Sequence, residues 1–425
     1  MHIVVVGGGV IGLTTAYHLA REGEQVTVLD ARAAGRGASE VNAGWVVPAE
    51  ATPVPGPGMV LQSMKWMLHR DSPLYIRPSL HPSFLRFMTG MWRHSNARDQ
   101  RAGFEGHLRL AQATVEVFDE YRADGMDFEM HNAGLLMAFT DPANLHHHLD
   151  NLDLVRRYGL DPQVLMDDDV RGYEPHLSDA VRGGIRFPLE RHVDPEALVR
   201  ALAGRLATMG ARVVEHAKVD GVVRDGHRIT AVRSGDRRFP ADRFVLAAGA
   251  WTGPVSRLFG APLPIRPGKG YSVDLAPFGL RGPVNLSDSK VAVTPLDDRL
   301  RLAGTMEFGG LDERVNQVRV DAILRAPGRY FRDWSPPSET PVARAGCRPM
   351  TPDGLPVIGR LPGTGNAFVS SGHGMLGVTL APGTALALAD LVLHDITPEQ
   401  LQPFSPTRFR RGGRTPTNRL RKEPA

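Results

Sequence analysis

Three glycines near the start of the chain, Gly7-x-Gly9-x-x-Gly12, together with Asp30, have the spacing of a dinucleotide grip. The first glycine permits a tight turn, the second lets a pyrophosphate approach the backbone, and the third lets a helix sit close on a strand. Val10 and Ile11 then open that helix, where free N–H groups and the positive dipole end favour phosphate. Asp30 lies about 20 residues past Gly9, at the end of the next strand, placed to bond a ribose diol and repel a 2′-phosphate. This unit alone would serve NAD or FAD equally.

A second glycine-rich turn, Ser370-Ser371-Gly372-His373-Gly374-Met375-Leu376-Gly377, sits near the other end of the chain. Its continuation through Val378 and Thr379 opens another helix. The backbone N–H groups there could stabilise negative charge developing on a ring system as it is reduced. His373 is expected to serve the turn structurally. A cofactor held at both ends of a chain implies a fold that leaves its cofactor domain and returns, which points to a flavoprotein.

The elements that must position these residues read as strands and helices in alternation. Apolar runs at 2–6 and 25–29 flank a helix at 11–21. A buried strand at 244–246 ends in Ala247-Ala248-Gly249-Ala250, where small residues let a ligand press on the backbone. Ala248, Gly249 and, before them, Val219 are expected to touch the cofactor. Pro-rich loops from 53 to 82 and helical stretches at 104–121 and 141–158 enclose a strand at 134–139. The expected fold is α/β: an FAD-binding Rossmann-like domain of the glutathione-reductase type with an inserted α+β substrate domain. The cofactor domain is assigned to residues 1–58, 194–262 and 340–400, and the substrate domain to 59–193 and 263–339.

The chain has 425 residues, enough for two or three domains. Hydrophobic residues make up 42% and charged ones 23%, ordinary for a globular protein. A single cysteine, Cys347, rules out an internal disulfide framework. The first apolar run is broken by glycines, as in a buried strand and unlike a signal peptide, so a cytoplasmic location is expected. The tail at 401–425 gathers Arg408, Arg410, Arg411, Arg414, Arg419, Arg421 and Lys422 and is expected to be disordered and solvated. Peripheral contact with an anionic membrane stays open, no nucleic-acid partner is expected, and oligomeric state is not readable. His146-His147-His148 would point in different directions on a helix, so no metal is assigned.

The chain resembles the D-amino-acid dehydrogenase and glycine oxidase group of FAD-dependent amine oxidoreductases over roughly residues 1–395. Beyond the first turn, the resemblance rests on Ser39-x-x-Asn42-Ala43-Gly44, Lys65-Trp66, Pro73-Leu74-x-Ile76-Arg77-Pro78 and Lys269-Gly270-Tyr271-Ser272. It continues in Arg301-Leu302-x-Gly304-Thr305-Met306-Glu307 and in the run from Gly346 through Arg348 and Asp353 to Gly359. Gly372-His373-Gly374-x-x-Gly377 with Ala381-Pro382 completes it.

The resemblance implies FAD, with Ser39, Asn42, Ala43 and Gly44 forming a flavin-contacting loop. It also implies oxidation of an amino acid or amine that carries a carboxylate, the electrons passing to oxygen or a quinone. D-amino acids are the leading substrates and N-substituted glycines the alternative. Arg348 falls where the family holds the substrate carboxylate, and a guanidinium suits that task because its planar fork stays charged. Tyr271 and Met306 are weaker candidates: Tyr271 could close the pocket or bond the carboxylate, or else pack in the core with its hydroxyl satisfied, and Met306 could contact substrate or be plain core. Ala292 and Met375 stand where relatives carry a tyrosine and an arginine, which favours a substrate other than glycine. Cys347 falls one position from the point where a related group tethers FAD, so the cofactor is expected to be non-covalent.

Overall fold

The computed structural model describes residues 1–59, 63, 66, 69 and 71–409. Lys65 and the arginine-rich segment 410–425 lie outside the described residues.

The apolar run His2–Val6 forms the middle of a six-stranded sheet. Gln25–Leu29 and Arg243–Leu246 pair with it in parallel on either side. Arg212–Val214 and Ala367–Ser371 extend the parallel order outward, and Val357–Arg360 closes it antiparallel. Strands buried on both faces read as continuous Val/Ile/Leu runs, as these do. The helix Val10–Arg21 packs against both Pro195–Thr208 and Gly377–His394. Gly377–His394 is long and apolar enough to cross a bilayer, yet 72% of it is buried inside the protein, where it serves as a core helix. Pro382 is tolerated within it, and Gly383 meets the Leu110 carbonyl so closely that any Cβ would collide.

The second large sheet has nine strands and is mostly antiparallel. Its long central strands are Arg266–Leu275 and Leu300–Phe308, with Ala343–Met350 at one edge. Val291–Pro295, Val284–Leu286 and Leu135–Phe139 carry the sheet onward. Ala343–Met350 pairs along its length with Arg266–Leu275. That strand therefore belongs to this sheet and not to the nucleotide-binding one, contrary to the boundary expected at residue 340.

Two expected helices are each broken in two. Residues 104–121 fall into Ala97–Leu110 and Thr114–Ala123, separated by a turn, and residues 141–158 into Pro142–Leu149 and Leu152–Arg157. Residues 401–409, expected to be part of a disordered tail, are folded. Leu401 and Phe404 are buried, and Arg408 forms a two-bonded pair with Asp353 at 2.7 and 3.1 Å.

Candidate active site

The first glycine turn has the close approaches its residue types require. Gly7 has φ +116°, and a Cβ there would lie 2.3 Å from the Ala247 carbonyl oxygen. A Cβ at Gly12 would lie 1.8 Å from the Gly7 oxygen, so Gly12 serves helix–strand packing and does not face the ligand space. Asp30 Oδ2 accepts from the Gly8 N–H at 2.7 Å, and Oδ1 accepts from the Arg32 N–H at 2.8 Å. The carboxylate is thereby held at the strand end with its remaining lone pairs toward the groove. Ser39 Oγ accepts from the Val10 N–H at 2.9 Å, over the helix N-terminus where a pyrophosphate would bind.

Asn42 shapes its own loop: its amide donates to the Ala38 and Ser39 carbonyls, and its Oδ1 accepts from the Gly44 N–H at 2.7 Å. Gly44 has φ +73° and presses on the Val193 carbonyl, so it too is structural, while Asn42 and Ala43 face the cavity. Arg301 ties this loop to the large sheet. Wholly buried, it donates to the Glu40 and Asn42 carbonyls and pairs with Asp274 and Glu196.

One cavity of about 1090 Å³ joins these features to the far end of the chain. It runs from Gly7, Gly9, Val10, Ile11 and Asp30 past Val219, Ala248 and Gly249 to Gly374, Met375, Leu376, Gly377, Val378 and Thr379. Arg348 and Met306 line it as well. At the upper end of the usual size for ligand pockets, it has room for a dinucleotide and a small second molecule.

Arg348 reaches this cavity by an unusual route. It stands on the edge strand Ala343–Met350, and its side chain crosses the neighbouring strand over Gly270. Its Nη1 then donates to the Thr305 carbonyl at 2.7 Å, one strand further on. The other guanidinium N–H groups have no partner among the described residues. Burial pushes its pKa down to about 10, which still leaves it protonated at neutral pH and in want of an anion. Such a group has the chemistry to bind a carboxylate.

Tyr271 is not part of the site. It is 1% exposed and does not line the cavity, and its hydroxyl donates to Glu307 Oε2 at 2.9 Å. Side chains alternate along a strand, so with Gly270 on the cavity side Tyr271 must point away. His373 combines two roles: its Nε2 is 3.1 Å from Thr384 Oγ1 while the residue lines the cavity. Burial pushes its pKa down to about 3, so the ring is neutral. Cys347 also lines the cavity, with its thiol pushed up to about 11 by burial and therefore protonated.

Several lining residues escaped the sequence reading. Glu50, Asn285 and Lys290 face the same cavity, as does His148. Position in the helical pattern could have flagged His148, since it sits three residues from the buried Leu145. Nothing local marks the other three.

The residues fit FAD on the structure's own terms. The backbone cradle at Gly7 admits no side chain, and the diol-binding carboxylate stands at the strand end. At the opposite end Ser370 Oγ and His373 Nδ1 are buried beside the cavity with no partner among the described residues. Similarity to known proteins agrees. The family described as FAD dependent oxidoreductase matches residues 2–391. The chain is 33% identical over 408 residues to a D-amino acid dehydrogenase of Methylobacterium radiotolerans, covering 92% of this chain and 96% of that one. A D-amino acid dehydrogenase 1 of Mesorhizobium japonicum is 31% identical, covering 93% and 96%. Among solved structures, a glycine oxidase from Geobacillus kaustophilus superposes with a TM-score of 0.76 at 25% identity, covering 96% of this chain and 98% of that one. The chain belongs to the FAD-dependent oxidoreductases of the DAO family, and FAD is its cofactor.

Proposed function

We propose that this enzyme oxidises amino acids, D-amino acids foremost, by removing hydride from the Cα that bears the amine. The observation that carries this reading is Arg348, a charged, half-buried guanidinium with unspent N–H groups in the cofactor cavity. A carboxylate on the substrate would satisfy it in a two-bonded fork and fix the Cα relative to the flavin. Bound FAD supplies the two-electron sink for this chemistry, after which the imine hydrolyses to a 2-oxo acid and ammonia. The chain's own contribution is to hold the carboxylate and exclude water. It also presents the N–H groups of the Gly377–His394 helix start to charge that develops on reduction. The relatives named D-amino acid dehydrogenase support the choice of substrate class.

The test is an anaerobic bleaching screen of the holoenzyme with D-amino acids, L-amino acids and N-substituted glycines. Rapid loss of flavin colour with D-amino acids and not with their enantiomers is expected. Bleaching by N-substituted glycines alone would move the enzyme to secondary amines. Oxygen uptake under the same conditions separates an oxidase from an enzyme that needs a quinone or dye.

A further inference from the structure

Besides Arg348 the cavity has a second polar group of residues, Glu50, Asn285 and Lys290. The floor of the cavity there is a row of register partners crossing four strands: Met137, Asn285, Ala292 and Ala303. The two alanines keep that floor low, so a substrate side chain can lie across it. At its far side Asn285 Nδ2 donates to Glu50 Oε1 at 2.7 Å.

Lys290 stands at the end of the turn joining Val284–Leu286 to Val291–Pro295 and lines the same space. Its φ is +56°, a backbone conformation that glycine or asparagine would adopt at less cost, so a lysine there is retained against the local preference. The residue after it, Val291, pairs with Gly304, which precedes Thr305, whose carbonyl holds Arg348.

Burial draws the Lys290 pKa down, while the nearby Glu50 and Asp288 hold it up without pairing with it. No carboxylate of the described residues lies within the 4.0 Å of an ion pair with it. Asp288 is spent on the Thr140 N–H and hydroxyl, Asn144 and Tyr330. Burial lifts Glu50 to about 7, so near neutrality much of it is the uncharged acid, itself a donor. Lys290 thus makes no ion pair or hydrogen bond with the described residues, and its ammonium N–H groups remain for a ligand.

We propose that Lys290, flanked by Asn285 and Glu50, is a second anion subsite, and that the preferred substrates are amino acids whose side chain ends in a carboxylate. This rests on the carboxylate-clamp reading above and specifies what the second polar group of the same cavity binds.

The experiment measures ligand binding to the holoenzyme through flavin absorbance, comparing glutarate with butyrate, and then the kcat/KM ratio of D-glutamate to D-glutamine. Glutarate is expected to bind at least tenfold more tightly than butyrate, and D-glutamate to be preferred over D-glutamine by a similar factor. Lys290→Met should lower both ratios at least tenfold, and Lys290→Arg should restore most of the preference. Equal binding of the two acids, or ratios unchanged in Lys290→Met, would overturn the proposal while leaving the clamp intact. A preference for D-lysine would overturn it too, by making Glu50 the recognition group. The binding arm needs no turnover, so a failure of the D-amino-acid reading shows separately, as absent turnover with glutarate still selected.

Discussion

Replacing Gly270 with alanine should disable substrate capture without touching any residue that contacts substrate through a side chain. A Cβ at position 270 would lie 2.1 Å from Arg348 Nη1 and 2.3 Å from its Cζ and Nη2. Ordinary contact begins at 3.4 Å, so the guanidinium must retreat by roughly 1 Å, because the strand carrying Gly270 is hydrogen-bonded on both sides and has no room to yield. The retreat breaks the 2.7 Å bond to the Thr305 carbonyl. Losing a charge-assisted hydrogen bond costs about 1.5–3 kcal/mol, and misplacing a positioning group by ~1 Å costs on the order of 100-fold in rate. We expect kcat/KM for a carboxylate-bearing amine to fall between about tenfold and a few hundredfold. Steady-state kinetics at matched flavin content, with a melting curve to show an intact fold, is the assay. A Gly270→Ala enzyme within twofold of wild type would refute the idea that the arginine lies across this strand.

Three further outcomes follow from the same geometry. Arg408→Ala should destabilise the protein by about 3–5 kcal/mol, read as a lower Tm, because it strands the buried Asp353 carboxylate. Burial alone would raise the Asp353 pKa, but Arg408 overcomes this and the net shift is downward. The stability it contributes is therefore present above the unfolded carboxyl pKa and is lost as pH falls through the folded one, so wild type and Arg408→Ala should converge in Tm at acid pH. Asp30→Asn should weaken FAD binding about tenfold, measured by fluorescence of released flavin, since the carboxylate both awaits the ribose and holds the Gly8 N–H. Acid precipitation should release all the flavin, because the Cys347 thiol is protonated within its buried setting; yellow colour left in the pellet would show a covalent link.

The parts of the site legible in the sequence are those whose chemistry is written over a few adjacent residues. The Gly7–Gly12 turn, Asp30 and the turn at 374–379 each depend on local backbone geometry, and all reach the cavity or shape it. Arg348 was legible through its motif, although its route over Gly270 was not, since that depends on which strand lies beside it. Tyr271 was misplaced by one step of strand alternation, a distinction that needs the register of the Arg266–Leu275 strand. Glu50, Asn285 and Lys290 come from a short turn, a strand and a hairpin end that only sheet pairing brings together, and no local pattern joins them. The ordered start of the C-terminal segment was obscured by its arginines, whereas the informative residues were Leu401 and Phe404, both buried.

The central claim is that Arg348 holds a substrate carboxylate beside bound FAD. It is tested most directly by anaerobic stopped-flow reduction of wild type and Arg348→Met, each loaded with FAD, by D-alanine and by an amine of the same size lacking the carboxylate. Removing one partner of a buried charge pair costs about 3–5 kcal/mol, so wild type should be reduced by D-alanine at least 100-fold faster than the variant at low substrate. Both proteins should hold one flavin and treat the simple amine alike. Equal reduction of the two by D-alanine would contradict the account.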